Sequence, residues 1–89
     1  MKELVRTRQF KKDVKRYVHM PDKMVKLLEV LTMLENEQPL PEQMRPHQLT
    51  GNYQGCMECH IGSDYLLIWM DDNTNVIRLL RLGSHSELF

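Results

Sequence analysis

Three of the four histidines lie in the second half of the chain, each near carboxylates, an arginine or a turn glycine. His47 occurs in Pro46-His47-Gln48-Leu49-Thr50-Gly51, His60 in Glu58-Cys59-His60-Ile61, and His85 in Arg81-Leu82-Gly83-Ser84-His85. Histidine is the side chain best able to take and give protons near neutral pH. Arg81 nearby suits an anionic substrate, because a planar guanidinium fork matches phosphate oxygens. Together these residue types suggest phosphate-ester chemistry on a small scaffold.

Such chemistry requires the rest of the chain to bring distant residues together. Leu4 and Val5 open a short strand that ends near Thr7, which can cap a helix. Phe10, Val14 and Tyr17 or Val18 then recur at helical spacing, predicting an amphipathic helix over about residues 8–18. Pro21 and Asp22 mark a second helix start. Met24, Leu27, Leu28, Leu31 and Leu34 form a stripe that carries it to about Asn36. Pro39 and Pro41 end the helical part, and residues 38–52 read as an ordered loop or short irregular strand. Three strands are expected after it: residues 53–61, Tyr65–Met70 and Val76–Leu82, separated by turns at Gly62-Ser63 and Asp71–Asn75. The order β-α-α-β-β-β predicts an α+β fold in one domain, residues 1–89, with two antiparallel helices packed on a mainly antiparallel sheet.

In this frame Glu58 and His60 share a strand face, and Asp64 follows the next turn. Antiparallel pairing can carry the Asp64 region toward the end of the last strand, where Arg81 and His85 lie. His47 would enter from the preceding loop. Each residue also has a plainer reading. A lone histidine near a turn is usually a surface group, Asp64 could be turn chemistry, Arg81 could pair with Glu87, and Phe89 could plug the core.

Cys56-Met57-Glu58-Cys59-His60 matches the C-x-x-C-H pattern of c-type haem attachment. Residues three apart on a strand face opposite sides, however, so Cys56 and Cys59 would not converge on a haem or a zinc ion. Cys59 is expected to pack as a small apolar residue, with Cys56 on the other face. No cofactor and no metal are expected. The start of the chain lacks an apolar signal segment and no apolar run could span a bilayer, so the expectation is a cytoplasmic protein with reduced thiols and no membrane partner.

The 89 residues are 42% hydrophobic and 27% charged, with no net charge. The distribution is uneven: residues 1–26 hold nine basic groups, Lys11, Lys12 and Lys15 among them, against three acidic ones. Such asymmetry can mark one face for a polyanion, or simply a solvated helix face.

At these residues the chain resembles the RelE/ParE toxin superfamily, specifically its YafQ-like branch of bacterial mRNA interferases. The resemblance runs essentially end to end. It rests on the H-x-L-x-G of His47-Gln48-Leu49-Thr50-Gly51, the acidic-x-His step Glu58-Cys59-His60, Asp64 four residues on, and the ending Arg81-Leu82-Gly83-Ser84-His85-Ser86-Glu87-Leu88-Phe89. Many relatives carry aspartate where Glu58 stands, and an arginine where Met57 stands, which shifts the expected phosphate contact onto Arg81.

The resemblance implies a toxin that cuts mRNA on the ribosome and is neutralised by a cognate antitoxin protein, with DNA contacted only through that antitoxin. It implies a site of His47, Glu58, His60, Asp64, Arg81, His85 and Phe89. In the implied transesterification, His85 or His60 takes the ribose 2′-OH proton, and the other, or His47, protonates the departing 5′-oxygen. Asp64 and Glu58 orient the rings, Arg81 stabilises charge on the phosphate, and Phe89 stacks on a base. Lys11, Lys12 and Lys15 would meet ribosomal RNA phosphates. ParE-like members of the superfamily instead inhibit gyrase by binding, so a non-catalytic toxin is the alternative.

Overall fold

In the computed structural model, which describes residues 1–89, the strands order as β1-β5-β4-β3-β2 in a single sheet. The elements are β1 (Glu3–Arg6), α1 (Arg8–Lys15), α2 (Pro21–Glu35), β2 (His47–Gln48), β3 (Met57–Gly62), β4 (Tyr65–Asp71), β5 (Val76–Gly83) and α3 (His85–Leu88). The β3–β4 and β4–β5 pairs are antiparallel, and only β1 runs parallel to its neighbour, β5. The α+β class and the β-α-α-β-β-β order expected from sequence are therefore present, with additions.

Local chemistry explains most boundaries. The Thr7 side chain accepts a hydrogen bond from the Phe10 amide and so caps α1. Pro21 occupies the first position of α2, where its missing N–H costs nothing. The third strand begins at Met57 rather than residue 53, because Gly51–Tyr53 forms a 3₁₀ turn and Gly55 takes φ 89°, a left-handed conformation open to glycine. Two elements had no clear sequence signal: the two-residue strand β2, which pairs His47 with Glu58, and the single-turn α3.

The central strand β4 is buried on both faces, which accounts for its unbroken apolar run. Tyr65, Leu67 and Trp69 face the main core with Phe10, Tyr17, Leu27, Val30, Leu31 and Leu34 of the helical layer. Leu66 and Ile68 face the other way, into a smaller cluster closed by Cys56 and Leu88, with Leu49 and Tyr53 alongside. The sheet thus has a helix face and a second face covered only by the 49–56 loop and α3. Cys59 lies in the main core and Cys56 in the smaller cluster, so the two thiols occupy opposite faces. Burial, aided by Glu58, pushes the Cys59 thiol up to about 12. No helix is long and apolar enough to cross a membrane.

Candidate active site

The second face carries the histidines. Strand pairing sets His47 opposite Glu58, Glu58 opposite Ile68, and Ile68 opposite Arg81, one row across the sheet. His60 pairs with Leu66 and Leu66 with Gly83, the adjacent row on the same face. Just beyond Gly83 the chain turns into α3 at Ser84, whose side chain and Glu87 form a reciprocal capping box. That turn delivers His85 to the end of the histidine row.

The rings then follow one another. Centroid separations are 6.2 Å from His47 to His60, 6.1 Å from His60 to His85, and 5.8 Å from His85 to Phe89. Tyr53 closes the series, edge-on to Phe89 at 5.5 Å. Phe89 is 60% exposed and does not plug the core; the neighbouring Leu88 does.

Two carboxylates serve the row. Glu58 is only 3% exposed; its Oε1 lies 3.1 Å from His47 Nε2 and 3.9 Å from His60 Nε2. Its Oε2 is buried with no hydrogen-bond partner, a costly arrangement for a carboxylate oxygen. Asp64 sits at φ 50° in the β3–β4 turn, as the turn reading expects. It accepts from the His85 amide at 2.8 Å and lies 3.4 Å from His85 Nδ1. The His85 amide is the main cause holding the Asp64 carboxyl below its usual range.

Hydrogen-bond roles constrain the tautomers. His47 Nδ1 is 2.6 Å from the Arg45 carbonyl, which can only accept, so Nδ1 carries a proton. An ionised Asp64 likewise asks for a proton on His85 Nδ1, leaving Nε2 of that ring with its lone pair.

Arg81 departs from expectation. Its Nε donates to Asp13 Oδ2 at 2.8 Å, Nη2 to Asp13 Oδ1 at 3.4 Å, and Nη1 to the Tyr53 hydroxyl at 3.3 Å. The guanidinium is not a free phosphate fork, and it does not pair with Glu87. Glu87 instead accepts from Tyr17 Oη and meets Arg16. Beyond Arg6, β1 no longer pairs with β5, and the Asp13 carboxylate takes the place of a neighbouring strand by accepting from the Leu82 amide. Burial alone would push the Asp13 carboxyl up; Arg81, Leu82 and Gln9 together hold it down. Tyr53 passes the connection on, donating to the Leu88 carbonyl at 3.3 Å.

Asp13 and Tyr53 were not singled out from sequence. Asp13 could have been, since it lies three residues after Phe10 and four before Tyr17, on the buried face of an otherwise basic helix. Lys11, Lys12 and Lys15 are exposed on α1, across the sheet from the histidines, and take no part in the row. No three His, Cys, Asp or Glu side chains converge as a metal-ion ligand set.

This fold is that of a class, the small α+β toxins of the RelE/ParE superfamily. Residues 2–89 match the family described as bacterial toxin of type II toxin-antitoxin system, YafQ, and the chain belongs to it. The mRNA interferase toxin YafQ of Escherichia coli K12 is 34% identical over 82 residues, spanning 91% of this chain and 88% of that protein. A metal-bound toxin from Helicobacter pylori superposes with a TM-score of 0.88 at 37% identity over the whole of both chains. YafQ in the E. coli DinJ–YafQ complex superposes with a TM-score of 0.87 at 31% identity, covering 100% of this chain and 99% of that one.

Proposed function

We propose that this chain is an endoribonuclease, the toxin of a type II toxin-antitoxin pair, which cleaves mRNA at the ribosome in the cytoplasm and is neutralised by a cognate antitoxin. One domain, residues 1–89, carries the activity. The E. coli relative's description as an mRNA interferase and the DinJ complex of its family support the reading. The observation that carries it is the row His47–His60–His85 with Glu58 and Asp64 beside it.

The reaction is an internal transesterification. His85 accepts the ribose 2′-OH proton at Nε2, since Asp64 holds Nδ1. The 2′-oxygen forms a bond to phosphorus as the bond to the 5′-oxygen breaks, and His60 donates the proton that the leaving oxygen takes up. Rings 6.1 Å apart can bracket a single phosphate, each within the roughly 3 Å reach of a hydrogen bond. Glu58, fixed by His47, orients His60. Arg81, held by Asp13, supports α3 through Tyr53, while Phe89 offers a face to a base. The nucleophile is the substrate's own 2′-OH, so the step needs no metal-activated water.

Incubation with RNA in excess chelator, with and without ribosomes, tests this. New 2′,3′-cyclic phosphate and 5′-hydroxyl ends are expected. Absence of cleavage in both conditions would favour the binding-only toxin, and chelator-sensitive cleavage leaving 3′-hydroxyl ends would overturn the mechanism.

A further inference from the structure

At the corner of the sheet beside Asp64, one cation is held in place with no carboxylate in direct ion-pair contact. The Lys23 ammonium, from the first turn of α2, lies 4.5 Å from the Tyr65 ring centroid and 5.8 Å from that of Tyr17. Those rings pack together at 4.9 Å, and the Tyr65 hydroxyl donates to the Lys23 carbonyl at 3.3 Å. Both the backbone and the side-chain tip of Lys23 are therefore fixed against the same pair of rings. Aromatic faces attract a cation without cancelling its charge.

Its neighbours are spoken for. Arg16, at the same corner, pairs with Glu87 at 3.3 Å, and Glu87 also accepts from Tyr17. Arg81 is committed to Asp13. Lys23 has no carboxylate within 4.0 Å. Tyr65 directly follows Asp64, so Lys23 stands on the helix side of the turn whose other side holds His85. An RNA strand running along the histidine row and past His85 would meet it next.

We propose that Lys23 forms a phosphate subsite, binding the RNA phosphodiester adjacent to the scissile one. The proposal rests on the ribonuclease reading above. It supplies the free cation that Arg81, locked to Asp13, does not provide. The weak hold of the Lys23 charge on the Asp64 carboxyl, secondary to the His85 amide, is consistent with this corner placement.

The test uses oligonucleotides made uncleavable by 2′-deoxy substitution at the scissile position: a dinucleotide with a single phosphodiester and a tetranucleotide. Binding is followed by NMR through the His60 and His85 ring signals over a range of salt. K23Q is expected to weaken tetranucleotide binding about tenfold at low salt and to lower its log–log salt slope by about 0.7, one phosphate contact on a single strand. K23R should retain most of the affinity, and dinucleotide binding should not change. Equal affinity and slope for K23Q and wild type would overturn the proposal while leaving the ribonuclease reading intact. An equal loss on both oligonucleotides would also overturn it, assigning Lys23 to the Asp64–His85 pair instead. If neither oligonucleotide moves the ring signals of the wild type, the subsite proposal is overturned, while the ribonuclease reading is decided separately by the cleavage assay with ribosomes.

Discussion

His85 is held by two contacts to one carboxylate, Asp64, while 60% of its side chain stays open to solvent. Its removal should therefore damage chemistry rather than folding. H85A is expected to cleave RNA roughly 100-fold more slowly or worse, the usual contribution of a general acid or base. Its thermal midpoint should stay close to wild type, as exposed substitutions usually cost within about 0.5 kcal/mol. Cleavage near the wild-type rate would remove His85 from the mechanism. At this scale the sequence was informative about residue type but not about commitment. The alternation of Glu58 and His60 put both on one face, and the turn after Gly62 brought Asp64 to the right end. Arg81 could not be read in the same way. Its partner Asp13 lies at the far end of the sequence, and no local pattern shows that a guanidinium is already occupied.

The elements that matter most are the shortest. The strand β2 has two residues, yet it fixes His47 against Glu58; α3 is one turn, yet it carries both His85 and Phe89. Propensity and periodicity need longer windows, which explains why neither was legible while the helices and long strands were. Gly83 shows how tightly α3 is seated. A Cβ there would lie 2.7 Å from Glu87 Oε1 and 3.4 Å from Leu88 Cδ2. That oxygen already accepts from the Ser84 amide and the Tyr17 hydroxyl, each at 2.8 Å, so moving it sacrifices the cap. G83A is expected to cost about 1 kcal/mol or more, the usual value of a lost cap, and to lower the thermal midpoint by about 4–8 °C per kcal/mol for a chain of this size. Activity should fall further than stability accounts for, because His85 moves with the cap. Unchanged activity in G83A would show that the precise seating of α3 is irrelevant.

Across the whole molecule, charge is arranged in two opposing ways. Inside and at the edges, carboxylates are bound to specific donors. The Ser84 amide and then Tyr17 hold the Glu87 carboxyl below its usual range, Lys2 does the same for Asp71, and Asp13 is held down against its own burial. Depressed in the fold, these groups contribute their full stabilisation above the unfolded-state values, near pH 4. They lose it as pH falls through the folded values. The thermal midpoint should be steady from about pH 7 to 5 and decline toward pH 3; a flat profile across that acid range would contradict the ion-pair assignments. On the outside, the lysines of α1 stand free on the face away from the histidines. Reversing Lys11, Lys12 and Lys15 to glutamate is expected to reduce the salt dependence of ribosome binding while leaving the imidazole row in place. An unchanged salt slope would remove that helix from the contact.

The parallel pairing of β1 with β5 has a consequence for how the molecule assembles. Glu3 sits opposite Val76, so the opening strand has no partner until nearly all the chain has been made. The β3–β4–β5 meander closes over short loops and can form by itself, whereas β1 must close almost the longest loop available, at a cost that grows with its length. The meander should therefore be the nucleus and β1 the last strand to join. Native-state hydrogen exchange should show the same order in reverse, with the amides of β1 opening first and those of β4 last.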